Sequence, residues 1–133
     1  MAALPPRIGA ITLFAADLAR SRRFYQDVFD GPLIYEDANS VVFDFAGTML
    51  NVLDSTEAID LVEPETVAER SAGSRLMLSI WVDDVDARCA TLTARGIDLL
   101  NGPTDRAWGK RTASFTDPDG NVWELAQDIP PLH

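Results

Sequence analysis

Along the chain, the spacing of apolar positions changes period several times. After the breaker Pro5-Pro6, residues 8–15 are apolar and rich in β-formers, which predicts a strand. From Leu18 the period lengthens. Leu18, Phe24, Tyr25, Val28 and Phe29 recur at helical spacings as one stripe, and Arg20, Arg22, Arg23 and Asp27 fall outside it. Asp17 stands where an N-cap carboxylate accepts bonds from the first free backbone N–H groups, and Gly31-Pro32 stops the helix. Short β-like stretches follow over 33–36, 40–45 and 48–53, broken by Asp37-Ala38-Asn39 and Ala46-Gly47. The order is strand, helix, strand, strand, strand.

Residues 54–74 are polar and acidic, with Glu57, Asp60, Glu63, Glu65 and Glu69 around Pro64. This composition reads as a solvated connection, either a mobile linker or a loop with one helical turn, from which Leu61 and Val62 are placed to dip into a pocket. The pattern then restarts. A strand is predicted over 76–82, then a helix opened by Asp84, with Val85, Cys89 and Leu92 on one face and Gly96 as its stop. A strand over 97–100, a turn at Gly102-Pro103, a strand over 111–115, a tight turn at Asp117-Pro118-Asp119-Gly120 and a strand over 122–126 complete it. A shift of 67 residues lays Ile11-Thr12-Leu13-Phe14 on Leu78-Ser79-Ile80-Trp81, and Asp17-Leu18 on Asp84-Val85. One βαβββ module therefore occurs twice, over about 7–54 and 75–127, within a single domain spanning 1–133 and with an acidic connector at 55–74.

Composition narrows the chemistry. The 133 residues are 47% hydrophobic and 24% charged, which suits a globular domain with a real core. One cysteine, Cys89, permits no internal disulfide, and it reads as a small core residue rather than a nucleophile. The one histidine, His133, is the last residue, which argues against His-rich metal sites and against Ser-His-Asp or Cys-His catalysis. Eleven basic against 21 acidic residues give a net charge of −10. Nucleic acid and anionic membranes are disfavoured partners, whereas cationic small molecules are favoured. No apolar run approaches the roughly 18 residues of a membrane span. The first residues lack the basic and apolar regions of a signal peptide, so the expected location is cytoplasmic. No Gly-rich phosphate loop occurs, and Asp117 and Asp119 read as turn formers before calcium ligands.

The stretch Asp17-Leu18-Ala19-Arg20-Ser21-Arg22-Arg23-Phe24-Tyr25 resembles the "D-L-x-x-S-x-x-F-Y" opening of the vicinal oxygen chelate superfamily, which includes glyoxalases, dioxygenases and bleomycin-resistance proteins. The second half is more similar still, through Trp81-Val82-Asp83-Asp84-Val85-Asp86, Ala94-Arg95-Gly96, Trp108-Gly109-Lys110-Arg111 and Phe115-Thr116-Asp117-Pro118-Asp119-Gly120-Asn121-Val122-Trp123-Glu124-Leu125. The resemblance implies an α+β glyoxalase-like fold, in which two βαβββ modules form curved mixed sheets around a cup-shaped cavity, and a homodimer. It also implies four cavity-facing ligand positions, usually His or Glu in metal-using members. Here they hold Ala10, Met77, Asn51 and Glu124, so one hard ligand of four remains.

The expectation is therefore no metal and no cofactor. Strand alternation from those positions adds Thr12, Phe14, Ser79 and Trp81, then Met49 and Leu53, then Val122 and Ala126. Trp108 lies on a loop from which it can cover a ligand. For Phe14 and Trp81 the alternative is core filling. The leading reading is a metal-independent protein that sequesters an aromatic, planar or cationic molecule, plausibly an antibiotic, through Thr12, Phe14, Met49, Asn51, Met77, Ser79, Trp81, Trp108 and Glu124. The alternative is a glyoxalase-like lyase, isomerase or dioxygenase-type enzyme, with Glu124 as its general base.

Overall fold

A computed structural model describes residues 3–130, and His133 lies outside them. The first module comprises β1 (Ala10–Ala15), α1 (Leu18–Val28), β2 (Leu33–Glu36), β3 (Ser40–Phe45) and β4 (Thr48–Asp54). Its four strands lie in the order β1-β4-β3-β2, with β1 parallel to β4 and the other neighbours antiparallel. The second module comprises β5 (Met77–Trp81), α3 (Val85–Ala94), β6 (Asn101–Arg106), β7 (Lys110–Thr116) and β8 (Val122–Asp128). It repeats the arrangement as β5-β8-β7-β6. The 67-residue shift is kept in space: β1 and β5 begin at Ala10 and Met77, and α1 and α3 at Leu18 and Val85. The chain divides into two compact units after Ala68.

Each module buries one face of its sheet under its own helix. Leu13 and Ala15, Val41 and Phe43, and Leu50 and Val52 alternate inward in the first module, where Tyr25 of α1 is 1% exposed. Tyr25 packs between the rings of Phe24, Phe29 and Phe43, with centroids 5.1–6.1 Å away. In the second module Val85, Cys89 and Leu92 of α3 are buried, as are Ala113, Phe115, Trp123 and Leu125. Burial pushes the Cys89 thiol above its ordinary pKa, and the Asp86 carboxylate adds to that, so it stays an unreactive thiol. Asp17 and Asp84 cap their helices by accepting from the backbone N–H of Arg20 and Ala87.

Two expectations are corrected. The connector is solvent-exposed along most of its length, as its composition suggests, but it is more than a loop with one helical turn. Its first part is α2 (Ser55–Val62), an eight-residue helix with Ala58 fully buried. Asp54 starts this helix by accepting from the Thr56 hydroxyl at 2.7 Å and from its backbone N–H at 2.9 Å. Leu61 is 73% exposed and dips into nothing. Its later part, through a 3₁₀ turn at Arg70–Ala72, is tied to the turn between β7 and β8. Arg70 donates to the carbonyls of Asp117 and Pro118, and Ser74 to that of Gly120.

The second correction moves a strand. Residues 97–100 form none, because the Ile97 N–H closes the helix end on the Leu92 carbonyl. The strand instead runs through Gly102-Pro103, with a bulge between Asn101 and Thr104. β6 is an edge strand, where a missing N–H is tolerated. Gly102 sits at φ +86° against the Thr112 carbonyl, where a Cβ would collide. No helix among the described residues is long and apolar enough to cross a membrane.

The Asp54 cap yields a stability prediction. Bonds from Thr56 hold the Asp54 carboxyl below its ordinary pKa. A lowered folded-state value gives stability that is present above the unfolded-state value and lost as pH falls through the folded one. Asp54→Ala should cost about 1 kcal/mol at neutral pH. In urea melts the gap to the parent should stay flat from about pH 5 to 8 and narrow below about pH 4. A gap that does not change with pH would assign the loss to something other than the ionised cap.

Candidate functional site

On each sheet the alternate residues lie on the face away from the module's own helix, which on the second sheet is open only in part, since Thr112, Ser114 and Ala126 of that face are buried. In the first module the alternate residues are Ala10, Thr12 and Phe14 on β1 and Met49, Asn51 and Leu53 on β4, paired in that order across the parallel ladder. Thr12 and Asn51 meet, with the Asn51 amide donating to the Thr12 hydroxyl at 3.4 Å. The Asn51 Oδ1 atom is buried without a hydrogen-bond partner among the described residues, and a half-turn of the amide would let Thr12 donate to it instead. Phe14 is half-buried and Met49 is 47% exposed.

The second module repeats this geometry with different chemistry. Met77, Ser79 and Trp81 of β5 pair with Val122, Glu124 and Ala126 of β8. Ser79 donates to a Glu124 carboxylate oxygen at 2.9 Å. The Ser79–Glu124 pair therefore occupies the place that Thr12–Asn51 holds in the first module. Trp81 is not a core residue: it is 71% exposed on this open face. One side of its ring is covered by Lys110, whose ammonium lies 4.8 Å from the ring centroid. Trp108 is 70% exposed in the turn between β6 and β7, and makes no ring contact among the described residues.

Several polar groups on these faces escaped the sequence reading. Register places Tyr35 opposite Val42 on the first sheet's open face. Its hydroxyl donates to Asp37 at 2.7 Å; that bond pushes the Tyr35 pKa up, while the Asn39 N–H leads in holding Asp37 down. On the second sheet, Lys110 pairs with Asp128, and Arg106 stands directly opposite Lys110. Arg106 donates from Nε to the buried Thr112 hydroxyl at 3.0 Å, and from Nη2 to Asn101 at 3.3 Å. Carrying the alternation inward from Glu124 through its partner Ser114 would have found Thr112 and Lys110, because strand parity is shared across a ladder. Arg111, one residue on, points the other way and is tied to Asp86 and Asp105, which raises its pKa further.

The four positions that the family resemblance marks as ligand positions do not fit a divalent ion. Ala10 offers no donor and Met77 only a thioether; Asn51 and Glu124 face Thr12 and Ser79. Among the described residues no three His, Cys, Asp or Glu side chains converge.

Paired βαβββ modules, each with a helix on one side of a mixed sheet and a polar-aromatic open face on the other, define a glyoxalase-like α+β protein. The chain belongs to the Glyoxalase/Bleomycin resistance protein/Dioxygenase superfamily, whose model matches residues 7–125. Among curated relatives, it is 31% identical over 119 residues to the uncharacterized protein YraH of Bacillus subtilis, covering 86% of this chain and 93% of that one. It is 25% identical over 118 residues to the metallothiol transferase FosB of Staphylococcus saprophyticus, covering 89% and 74%. Among solved structures, a glyoxalase/bleomycin resistance protein/dioxygenase from Nocardioides superposes with a TM-score of 0.85 at 24% identity, covering 96% and 87%. TnmS3, an antibiotic binding protein from Streptomyces sp. CB03234, superposes with a TM-score of 0.70 at 26% identity, covering 96% and 99%.

Proposed function

We propose that this protein captures a small planar organic molecule of antibiotic type, without a metal ion, and that it does so as a homodimer. The observation that carries the reading is Trp81. A tryptophan left 71% exposed on a sheet face, beside a hydrogen-bonded Ser79–Glu124 pair, offers a stacking surface next to a polar anchor. Likeness to the antibiotic binding protein TnmS3 supports the same reading. Capture needs no reaction step, because mass action alone lowers the free ligand concentration.

Titration with flat antibiotics and simple naphthyl compounds, read by tryptophan fluorescence, tests it. Saturable quenching by at least one of them is the expected result, with no change on adding chelator. The likeness to FosB favours the competing reading of a metal-dependent transferase. Stoichiometric metal in the purified protein, released by Glu124→Gln, would establish that reading and end the present one. For the homodimer, light scattering at micromolar concentration should give about twice the 14.6 kDa chain mass. The monomer mass would refute it.

A further inference from the structure

The acidic balance of the chain favours cationic ligands, yet the open face of the second sheet holds a cation without a counter-ion among the described residues. Arg106 is half-buried, and its hydrogen-bond partners, Thr112 and Asn101, are both neutral. The nearby carboxylates are engaged elsewhere: Asp105 with Arg111, Asp128 with Lys110, and Glu124 with Ser79. Arg22, Arg106, Lys110 and Arg111 are the half-buried cations of the described residues, and of these Arg106 alone has no carboxylate partner there. A partly buried charge with neutral partners leaves much of its interaction capacity unused.

The geometry shows which part is unused. Thr112 and Asn101 take Nε and Nη2, the side edge of the guanidinium. These two bonds fix the plane of the group, and Thr112 itself is 4% exposed. The terminal edge, Nη1 with the second hydrogen of Nη2, has no partner among the described residues. Two parallel N–H donors on a fixed plane match the two oxygens of a carboxylate or phosphate. Lys110 sits directly across the ladder and adds a second positive charge, shared with Asp128.

Chain-wide charge does not cancel this. At physiological ionic strength fields are screened over about 8 Å, so a ligand on this face senses these cations more than distant carboxylates.

We propose that Arg106 anchors an oxyanion, a carboxylate or phosphate group, on the ligand of the second module. The inference rests on the planar-ligand reading above and names the chemical class of that ligand: a flat ring that carries an anionic oxygen group, spanning the open face from Trp81 on β5 toward Arg106 on β6, the two edge strands of the sheet.

Three probes test it: 2-naphthoate, 2-naphthyl phosphate and the neutral 2-naphthamide. At least one anion should bind the parent protein about tenfold or more tighter than the amide, and which anion wins distinguishes carboxylate from phosphate recognition. Arg106→Gln should remove that preference and leave naphthamide binding within about twofold, whereas Arg106→Lys should keep part of it. Trp81→Ala should weaken all three alike. A parent protein with no preference for either anion, or an Arg106→Gln variant that weakens the amide as much as the anions, would overturn the proposal. A separate arm titrates inorganic phosphate against the NMR signal of the Arg106 Nε–H. A shift that saturates, in a protein that binds none of the naphthyl probes, would keep the anion site and sink the planar-ligand reading. No shift, with all naphthyl probes bound equally, would do the reverse.

Discussion

Replacing Asp117 with alanine should destabilise the protein by about 2–4 kcal/mol, among the largest single-residue effects expected outside the apolar core. Asp117 is 3% exposed in the turn between β7 and β8. One carboxylate oxygen accepts from the backbone N–H groups of Asp119 and Asn121, both at 2.9 Å, and the other from the Asn121 amide at 2.8 Å. Truncation would leave those donors unsatisfied in a place with little room for water, which costs more than a bond removed at the surface. The carbonyls of the same turn also hold Arg70 and Ser74, so the loss would spread to the connector. By scanning calorimetry the midpoint should fall by roughly 7–14 °C, taking the usual unfolding entropy for a chain of this length. Asp60→Ala, on an exposed position of α2, should stay within about 0.5 kcal/mol of the parent. Equal small shifts for both variants would show that solvent replaces the turn's bonds.

Trp81→Ala is expected to weaken the binding of a flat ligand by about 1–3 kcal/mol, the cost of truncating an aromatic anchor. Because the ring is 71% exposed, the same change should leave the melting point nearly unaltered. That separation is the useful feature of the test, since a core tryptophan such as Trp123, 2% exposed, would lose several kcal/mol of stability. Lys110 already covers one ring face, so a ligand can stack only on the other. Lys110→Gln should therefore tighten a neutral ligand or leave it unchanged, and should weaken an anionic one. Isothermal titration of the parent and both variants with 2-naphthoate and 2-naphthamide measures all of this. Full affinity for both ligands in Trp81→Ala would remove Trp81 from the site.

Much of the architecture was legible because its causes are local. Period two and period 3.6 differ enough to separate β1 from α1, and Asp17 and Asp84 cap where a short carboxylate can reach the first free N–H groups. The repeat was legible through its 67-residue spacing, since the same turn chemistry recurs at the same distance. Failures fell where local signals were ambiguous. Gly102-Pro103 carries the composition of a turn, and only its place at a sheet edge, against the Thr112 carbonyl, makes it a strand. The acidic connector is solvated as its charge suggests, but that charge hid its helix, of which one buried Ala58 and one Asp54 cap made two turns.

For the candidate site the division is similar. The family resemblance marked Asn51 and Glu124, and strand alternation added Thr12 and Ser79, because a two-residue period needs no knowledge of the partner strand. Register then decided what the side chains meet, and register is a property of two strands together. It joined Ser79 to Glu124 and Thr12 to Asn51, and brought Lys110 over Trp81. It also set Arg106 among neutral partners while sending Arg111 to two carboxylates. The sequence by itself determined which residues share a face, since that follows from backbone geometry within one strand. Tertiary structure alone decided which charges are neutralised, because ion pairing depends on contacts between residues far apart in the chain.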